Sequence, residues 1–334
     1  MTEHKRITPK ADDGKAPRRS LIERADDAFG LDRLSPRRVP GDLPHPPARP
    51  ASRKAREQAP ETSAPKGEAS GQQGTSTALA LSQEGSAEQA VALCGPRQAV
   101  DREQLRAEGL IEPEEPVTGQ LEEFRIVKRE LLADARAGGD PLARRILVCS
   151  PHAGEGKTYC ATNLAIAMAA ERKMEVVLVD ADVVKPSVTR RLGIEGGAGL
   201  MDAIADPAIR PEELVIETDI EGLFVLPAGS GSLRDSEYLA STRTGEVLDR
   251  LTRAAPDRIL IFDTPPALAA SPAAELAAHV GQAILVVRAD ETSRAALEDA
   301  QHLLSACHDI KLLLNAARYS PSGRRFGDYG KGSA

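Results

Sequence analysis

Short, continuously apolar runs alternate with stretches of helical periodicity over the second half of the chain. The apolar runs predict strands at Arg145–Cys149, Val176–Val179, Leu223–Leu226, Ile259–Phe262, Ala283–Val287 and Lys311–Leu314. Helices are predicted near residues 156–170, 187–192, 235–253, 272–279 and 292–306. Strands that are apolar throughout are buried on both faces, and intervening helices let successive strands run parallel. The pattern therefore predicts an α/β fold, with a mostly parallel sheet flanked by helices.

The segment ahead of the first strand has a helical pattern. Its apolar residues recur at helical spacing, with charged residues between them: Leu121, Phe124, Val127, Leu131 and Leu132. This spacing predicts an amphipathic helix.

Residues 1–118 differ in composition from the rest of the chain. More than half of the 24 prolines lie in residues 1–120, which contain one aromatic residue, Phe29. So few large apolar side chains cannot offset the entropy lost on ordering, and we predict a largely disordered region. A short helix is possible at residues 20–31, as a transient helix or a docking peptide. The folded domain is then expected at 119–315, followed by a flexible tail at 316–334.

The overall composition narrows the range of functions. The net charge of −7 gives no sign of a basic, nucleic-acid-binding surface. The four cysteines show no C-x-x-C spacing and so no support for zinc. No signal peptide and no apolar run of about 18 residues is present. We therefore expect a cytoplasmic protein without nucleic-acid partners, which would reach a membrane only through another protein.

The loop after the first strand has the composition of a phosphate-binding loop. Gly154 and Gly156 allow its backbone to wrap a phosphate, and the helix N-terminus behind it adds partial positive charge. Lys157 can reach the β- and γ-phosphates, and the Thr158 hydroxyl can bind Mg²⁺. The predicted nucleotide-binding residues are Gly154, Glu155, Gly156, Lys157, Thr158 and Tyr159.

Two further strands end in carboxylates. Asp180 and Asp182 follow the second strand, and Asp263 closes the strand that begins at Ile259. The first two can bind Mg²⁺ or accept a proton from a hydroxyl, and Asp263 is placed as the Walker B aspartate of P-loop proteins. Since ligands bind beyond the carboxyl ends of parallel strands, one site for ATP and Mg²⁺ is expected there.

Together, these motifs resemble the bacterial tyrosine kinases (BY-kinases) of polysaccharide export, through residues 154–158, 179–182 and 261–266. The chain is most similar to the stand-alone branch tied to exosortase (PEP-CTERM) exopolysaccharide loci. That similarity rests on residues 20–25, 122–132, 180–187, 226–229 and 236–241. It extends from about residue 120 to residue 334, with one short N-terminal piece.

The resemblance implies a P-loop NTPase fold and an ATP-dependent protein-tyrosine autokinase that regulates exopolysaccharide biosynthesis or export. Lys157 would hold the phosphates, and Thr158, Asp182 and Asp263 would organise Mg²⁺. Asp180 would orient or deprotonate the tyrosine hydroxyl of a neighbouring chain. The roles of Asp180 and Asp182 can also be reversed. Lys157, Asp180 and Asp182 are therefore the expected catalytic residues.

The resemblance also implies a phosphorylated tail and self-association. Tyr329 and Tyr319 are the expected phosphoacceptors, although the family's tail is richer in tyrosine, and an inert tail is the alternative. An E-x-x-R-x-x-R motif drives ring formation in the family. Here Glu122, Arg125 and Lys128 occupy its positions, with Lys in place of the last Arg. The alternative is a plain amphipathic helix that packs on its own domain.

The implied partners are a membrane-anchored polysaccharide co-polymerase as activator, further copies of the chain, and a cognate tyrosine phosphatase. The activator would recruit the chain to the inner face of the membrane.

Three positions depart from the usual patterns. Pro151 replaces a glycine of the phosphate loop. Val184, which Lys185 follows, stands where many relatives carry a basic residue. His152 stands where partitioning and cell-division ATPases carry a lysine.

Two other functions are also compatible with the sequence. One is a switch ATPase of that partitioning or cell-division type. The other is a regulator that binds ATP and gates a co-polymerase without phosphorylating anything.

Overall fold

The computed structural model describes residues 90–317, apart from residues 117, 138 and 233. The strands are β1 Arg97–Gln98, β2 Arg145–Cys149, β3 Glu175–Asp180, β4 Ile216–Thr218, β5 Leu223–Leu226, β6 Arg258–Asp263, β7 Gln282–Arg288 and β8 Asp309–Asn315. The helices are α1 Arg102–Ala107, α2 Gly119–Ala137, α3 Lys157–Ala169, α4 Val188–Leu192, α5 Leu200–Ala205, α6 Pro211–Leu214, α7 Asp235–Leu239, α8 Thr242–Thr252, α9 Pro272–Ala277 and α10 Arg294–Leu303. Among these helices, none combines the length and the apolar character needed to cross a bilayer.

The described strands form one sheet in the order β1-β4-β5-β3-β6-β2-β7-β8. The six strands predicted from apolar runs are all present, and they pair in parallel from β5 to β8. This confirms the predicted α/β fold with a mostly parallel sheet. At one edge β4 runs antiparallel to β5, and β1 pairs with β4.

Alternate residues of each central strand pack on opposite faces of the sheet. In β2, Ile146 and Val148 face the cluster that includes α2 and α3. Leu147 and Cys149 face the cluster that includes α8 and α9. Side chains of a strand point to its two faces in turn, so a strand covered by helices on both sides must be apolar at every position.

Some predicted elements differ from the structure. The helix predicted at 235–253 is two helices, α7 and α8, because Ser241 has an extended backbone that interrupts the helical path. The hydroxyls of Ser241 and Thr244 both donate to the Tyr238 carbonyl at this break, at 2.6 and 2.9 Å. The helices α1, α5 and α6 were not predicted, since each is too short to show a clear period.

The predicted domain boundary at residue 119 lies too far along the chain. Residues 90–116, which we call the strap, pack on the domain, and Val100, Leu105, Leu110 and Ile111 are buried in the same core as α3. Composition averaged over the whole N-terminal region concealed this short apolar segment. The possible helix at 20–31 and the tail from residue 318 lie outside the described residues.

Candidate functional site

The loop between β2 and α3 lies at the carboxyl edge of the parallel strands. Gly154 and Gly156 both have positive φ, at 84° and 98°, and Gly156 is the residue that precedes the first turn of α3. No side chain caps this helix end, so its amides remain available to a ligand. Backbone amides at a helix N-terminus, combined with glycines in left-handed conformations, are the arrangement that binds phosphate.

The loop is braced from the β7–β8 side of the sheet. The Glu155 carboxylate is buried and accepts hydrogen bonds from the His152 amide, at 2.7 Å, and from the Thr292 hydroxyl. The Asn315 amide group donates to the Glu155 carbonyl at 2.8 Å, and Arg288 donates to the Gly154 carbonyl at 3.3 Å. Glu155, predicted to bind nucleotide, therefore shapes the loop with its side chain, which points into the protein.

Substitution of Gly156 tests how closely the loop depends on this bracing. A Cβ at Gly156 would meet the Asn315 Nδ2 at 2.0 Å, whereas a Cβ at Gly154 would meet nothing within 4 Å. Both glycines have positive φ, so Gly156→Ala and Gly154→Ala carry a similar backbone strain of about 1–2 kcal/mol. We expect Gly156→Ala to weaken ATP binding at least about tenfold beyond Gly154→Ala, by fluorescent-nucleotide titration. Equal affinities would show that the Asn315 contact does not shape the loop.

Three carboxylates meet at the strand ends beside this loop. Asp180 and Asp263 are register partners on the neighbouring strands β3 and β6. The Lys157 Nζ lies 3.1 Å from the Asp182 Oδ2, and both side chains are largely buried. The structure thus brings together Lys157 and the three predicted aspartates.

Asp180 organises the loop that follows it. Its Oδ2 accepts hydrogen bonds from the amides of Ser187 and Val188, at 2.8 and 3.0 Å, and its Oδ1 accepts one from the Asp182 amide at 3.2 Å. Burial raises the pKa of Asp180, although these amide hydrogen bonds partly counteract the effect. The carboxylate is held in one orientation and is a stronger proton acceptor than an exposed aspartate.

The side chain of Asp263 has no hydrogen-bond partner among the described residues. Both carboxylate oxygens are buried and unpaired. Burial raises the pKa of Asp263 to about 7, while the charge of Lys157 and the nearby Thr158 hydroxyl act in the opposite direction. A buried carboxylate with two unused oxygens is costly unless a cation binds there. Hard oxygen donors are what Mg²⁺ requires, so Asp263, Asp182 and Thr158 fit this ion.

Two further residues that were predicted to be functional, Tyr159 and Lys128, make packing and hydrogen-bond contacts within the domain. Tyr159 packs its ring edge-to-face on Phe124 of α2, with centroids 6.3 Å apart, so its ring serves the α2–α3 packing rather than the phosphate loop. Lys128 is buried, and its Nζ donates to the Ala167 carbonyl at 2.8 Å and pairs with Glu171.

Of the predicted self-association residues, only Glu122 and Arg125 are therefore partly exposed, and they pair with each other. Lys128 is occupied within its own domain. The predicted phosphoacceptors Tyr319 and Tyr329 lie outside the described residues.

Curated proteins with tyrosine-kinase names are among those that the sequence matches. YwqD of Bacillus subtilis, a tyrosine-protein kinase, is 29% identical over 218 residues, which cover 65% of this chain and 89% of YwqD. EpsB of Ralstonia nicotianae, a candidate tyrosine-protein kinase by name, is 31% identical over 225 residues. That match also covers 65% of this chain but only 28% of EpsB. The chain thus spans most of one relative and less than a third of the other.

The fold and the phosphate loop are also matched. Residues 142–223 match the family described as ParA, NUBPL iron-transfer P-loop NTPase. The kinase domain of the Escherichia coli tyrosine kinase ETK shares the fold, with a TM-score of 0.53 and 19% identity over 69% of this chain and 93% of that domain. The chain therefore has the nucleotide-binding fold of the P-loop NTPases.

Proposed function

We propose that this chain is an ATP-dependent protein-tyrosine autokinase that acts in exopolysaccharide biosynthesis or export, like the bacterial tyrosine kinases that it resembles. The observation that carries the proposal is the buried cluster of Asp180, Asp182 and Asp263 around Lys157, beside a phosphate-binding loop. Similarity to proteins named tyrosine-protein kinases over 65% of the chain supports the same reaction. The proposed partners are a membrane-anchored co-polymerase as activator, a tyrosine phosphatase and further copies of the chain.

The residues divide the work of phosphoryl transfer between them. Lys157 and the amides at the start of α3 would hold the β- and γ-phosphates of ATP. Thr158, Asp182 and Asp263 would hold Mg²⁺, which neutralises phosphate charge when bound. Positioning and charge neutralisation account for most of the catalysis in this reaction class.

The acceptor hydroxyl needs a base or an orienting group. Asp180 is suited to this role because burial raises its pKa toward the working pH and three amides fix its orientation. Asp182 is already paired with Lys157, which suits it to the metal side of the site. If the two roles are reversed, Asp180→Asn rather than Asp182→Asn should weaken Mg²⁺ binding.

Phosphorylation of the tail is the direct test of this function. After incubation with ATP and Mg²⁺, intact-mass and phosphopeptide analysis should find phosphate on Tyr329 or Tyr319. It should be absent with EDTA. Tyr329→Phe should remove the larger part of the incorporated phosphate, and Tyr319→Phe combined with it should remove the rest. A double variant that still carries phosphotyrosine would place the acceptors elsewhere in the chain.

A switch ATPase is the second candidate, because the match to the ParA family covers residues 142–223, which include the phosphate loop. Against it, the position where such ATPases carry a lysine that reaches across a dimer is here the exposed His152. ATP hydrolysis without phosphotyrosine, with the cognate activator segment supplied, would support the switch function. ATP binding without hydrolysis and without phosphotyrosine would favour a non-phosphorylating regulator.

A further inference from the structure

The strap and the catalytic edge of the sheet are connected by one short helix. Helix α4 begins where the amides of Ser187 and Val188 donate to the Asp180 carboxylate, at 2.8 and 3.0 Å. At its other end, the Leu192 carbonyl accepts a hydrogen bond from the Asp101 amide of the strap, at 2.9 Å. The two ends of α4 are therefore held by a candidate catalytic residue and by the strap.

Charged and polar contacts reinforce the strap end of α4. Glu108 pairs with Arg191 and, at 3.4 Å, with Arg190, both in the last turn of the helix. Gln98 and Glu195 exchange two hydrogen bonds, at 2.8 and 3.1 Å. The Glu108 side chain is 20% exposed and the Arg191 side chain 25% exposed, so this pair is partly shielded from water and stronger than a surface pair.

Close packing makes this connection stiff. Gly193, just after α4, has φ of 65°, and a Cβ there would meet the Asp101 Cβ at 2.4 Å. Leu105 of the strap and Val188 and Leu192 of α4 are all fully buried in one cluster. Densely packed elements transmit displacements rather than absorb them.

The strap also has its own anchors on the domain. The Ile111 amide donates to the Asn163 side chain of α3 at 2.7 Å, and the Val100 amide donates to Asp219 at 2.8 Å. One of these contacts is on α3, the helix that begins at the phosphate loop. The strap thus contacts two of the helices that begin at the catalytic edge of the sheet, α3 and α4.

We infer that Glu108 and Asp101 are positioning residues. They hold α4 in place, so that the amides at its start orient the Asp180 carboxylate and, with it, the segment from Asp180 to Asp182. Glu108 acts from the strap, through the arginines of α4, and does not touch the reacting atoms. Loosening this contact frees α4 and lets the Asp180–Asp182 loop depart from its catalytic geometry. The phosphate loop keeps its own bracing from Glu155, Thr292 and Asn315, so ATP binding is retained.

Hydrogen–deuterium exchange on the full chain tests the connection without reference to any activity. Glu108→Ala should speed amide exchange in residues 181–192 by about three- to tenfold, with little change at the phosphate loop. The matched control is Glu112→Ala, which removes a strap carboxylate that pairs with Arg106 of the strap itself. Unchanged exchange at 181–192 in Glu108→Ala would overturn the inference.

The kinetic consequence rests on the proposed function. Glu108→Ala should lower kcat for tail phosphorylation about five- to tenfold and leave the KM for ATP within about twofold, whereas Glu112→Ala should change neither. Glu108→Gln keeps one acceptor oxygen for the arginines of α4 and should recover part of the rate. A wild-type chain that forms no phosphotyrosine, yet shows the exchange difference, would refute the kinase proposal and leave the positioning role intact. Equal kcat in the Glu108 and Glu112 variants of an active kinase would overturn the role of Glu108 in catalysis.

Discussion

Lys157→Met is expected to lower kcat for phosphotyrosine formation by at least about 100-fold, the scale seen when one charge-stabilising donor is removed from an active site. The Lys157 Nζ lies in the space bordered by Asp182 and Asp263, at the start of α3. Its charge would stabilise the phosphoryl group in transit, and methionine keeps most of the length of the side chain without the charge.

The same substitution also changes the ground state. Without Lys157, the Asp182 carboxylate loses its ion pair. In the wild type the charge of Lys157 lowers the pKa of Asp263, so the pKa of Asp263 rises further in the variant. Mg²⁺ would then have to displace a proton from Asp263, so metal affinity should fall near neutral pH. ATP binding and thermal unfolding of the variant should be measured beside its rate.

The control for Lys157→Met is Lys173→Met. Lys173 is exposed in the turn between α3 and β3, at the opposite end of the sheet. This variant removes the same charge from the chain and should keep the wild-type rate within about twofold. A Lys157→Met protein that is folded and retains more than a tenth of the wild-type rate would contradict the role given to Lys157.

The central sheet and the acidic residues at its edge were predictable because their signals are local. The run before Asp263 is apolar at every position, since β6 is buried on both faces. By contrast, β1 has two residues and β4 three, and both lie toward the edge of the sheet. Such short edge strands carry no readable period.

The bracing of the phosphate loop could not be predicted from sequence. Thr292 lies 137 residues from Glu155, and Asn315 lies 160 residues from the carbonyl it contacts. Nothing in the local pattern joins these positions. They meet because β7 pairs on one side with β2, which leads into the phosphate loop, and on the other side with β8, which ends at Asn315. A buried glutamate in a glycine-rich loop is indistinguishable, in the sequence, from one that faces the ligand.

Lys128 did carry a local signal. It lies four residues after Phe124 and three before Leu131, so helical spacing places it on the buried stripe of α2. The helix surface that remains for contact with another chain includes Glu122, Arg125 and the exposed Ile126. Self-association through these residues stays a prediction, and Lys128 is not expected to contribute to it.

Asp263→Asn is expected to stabilise the metal-free protein and abolish its activity. The wild-type side chain is fully buried, and burial raises its pKa from 3.8 to about 7. A carboxyl group whose pKa is higher in the folded state penalises folding once it is charged. Below about pH 4 the group is protonated in both states and no penalty exists. The penalty grows as pH rises to 7 and is constant above it.

The size of this penalty follows from the same values. A rise from 3.8 to about 7 corresponds to about 4 kcal/mol as an upper limit, and relaxation of the buried site should reduce the measured value to about 2 kcal/mol. Asparagine has nearly the same shape and no charge to bury. In EDTA at pH 8, Asp263→Asn should therefore raise the free energy of unfolding by about 2 kcal/mol, and at pH 4 it should have almost no effect.

Urea unfolding of both proteins at pH 4, 6 and 8 measures the difference directly, since other titrating groups are common to both and largely cancel. Asp257→Asn, in the exposed turn just before β6, is the control and should show no such pH dependence. Excess Mg²⁺ should stabilise the wild type, whose Asp263 offers two unpaired carboxylate oxygens to the ion. It should not stabilise Asp263→Asn, because asparagine offers one neutral carbonyl oxygen instead. A variant less stable than the wild type at pH 8 without metal would mean that Asp263 is not strained by burial. The cation site would then have to be sought at Asp180 and Asp182 instead.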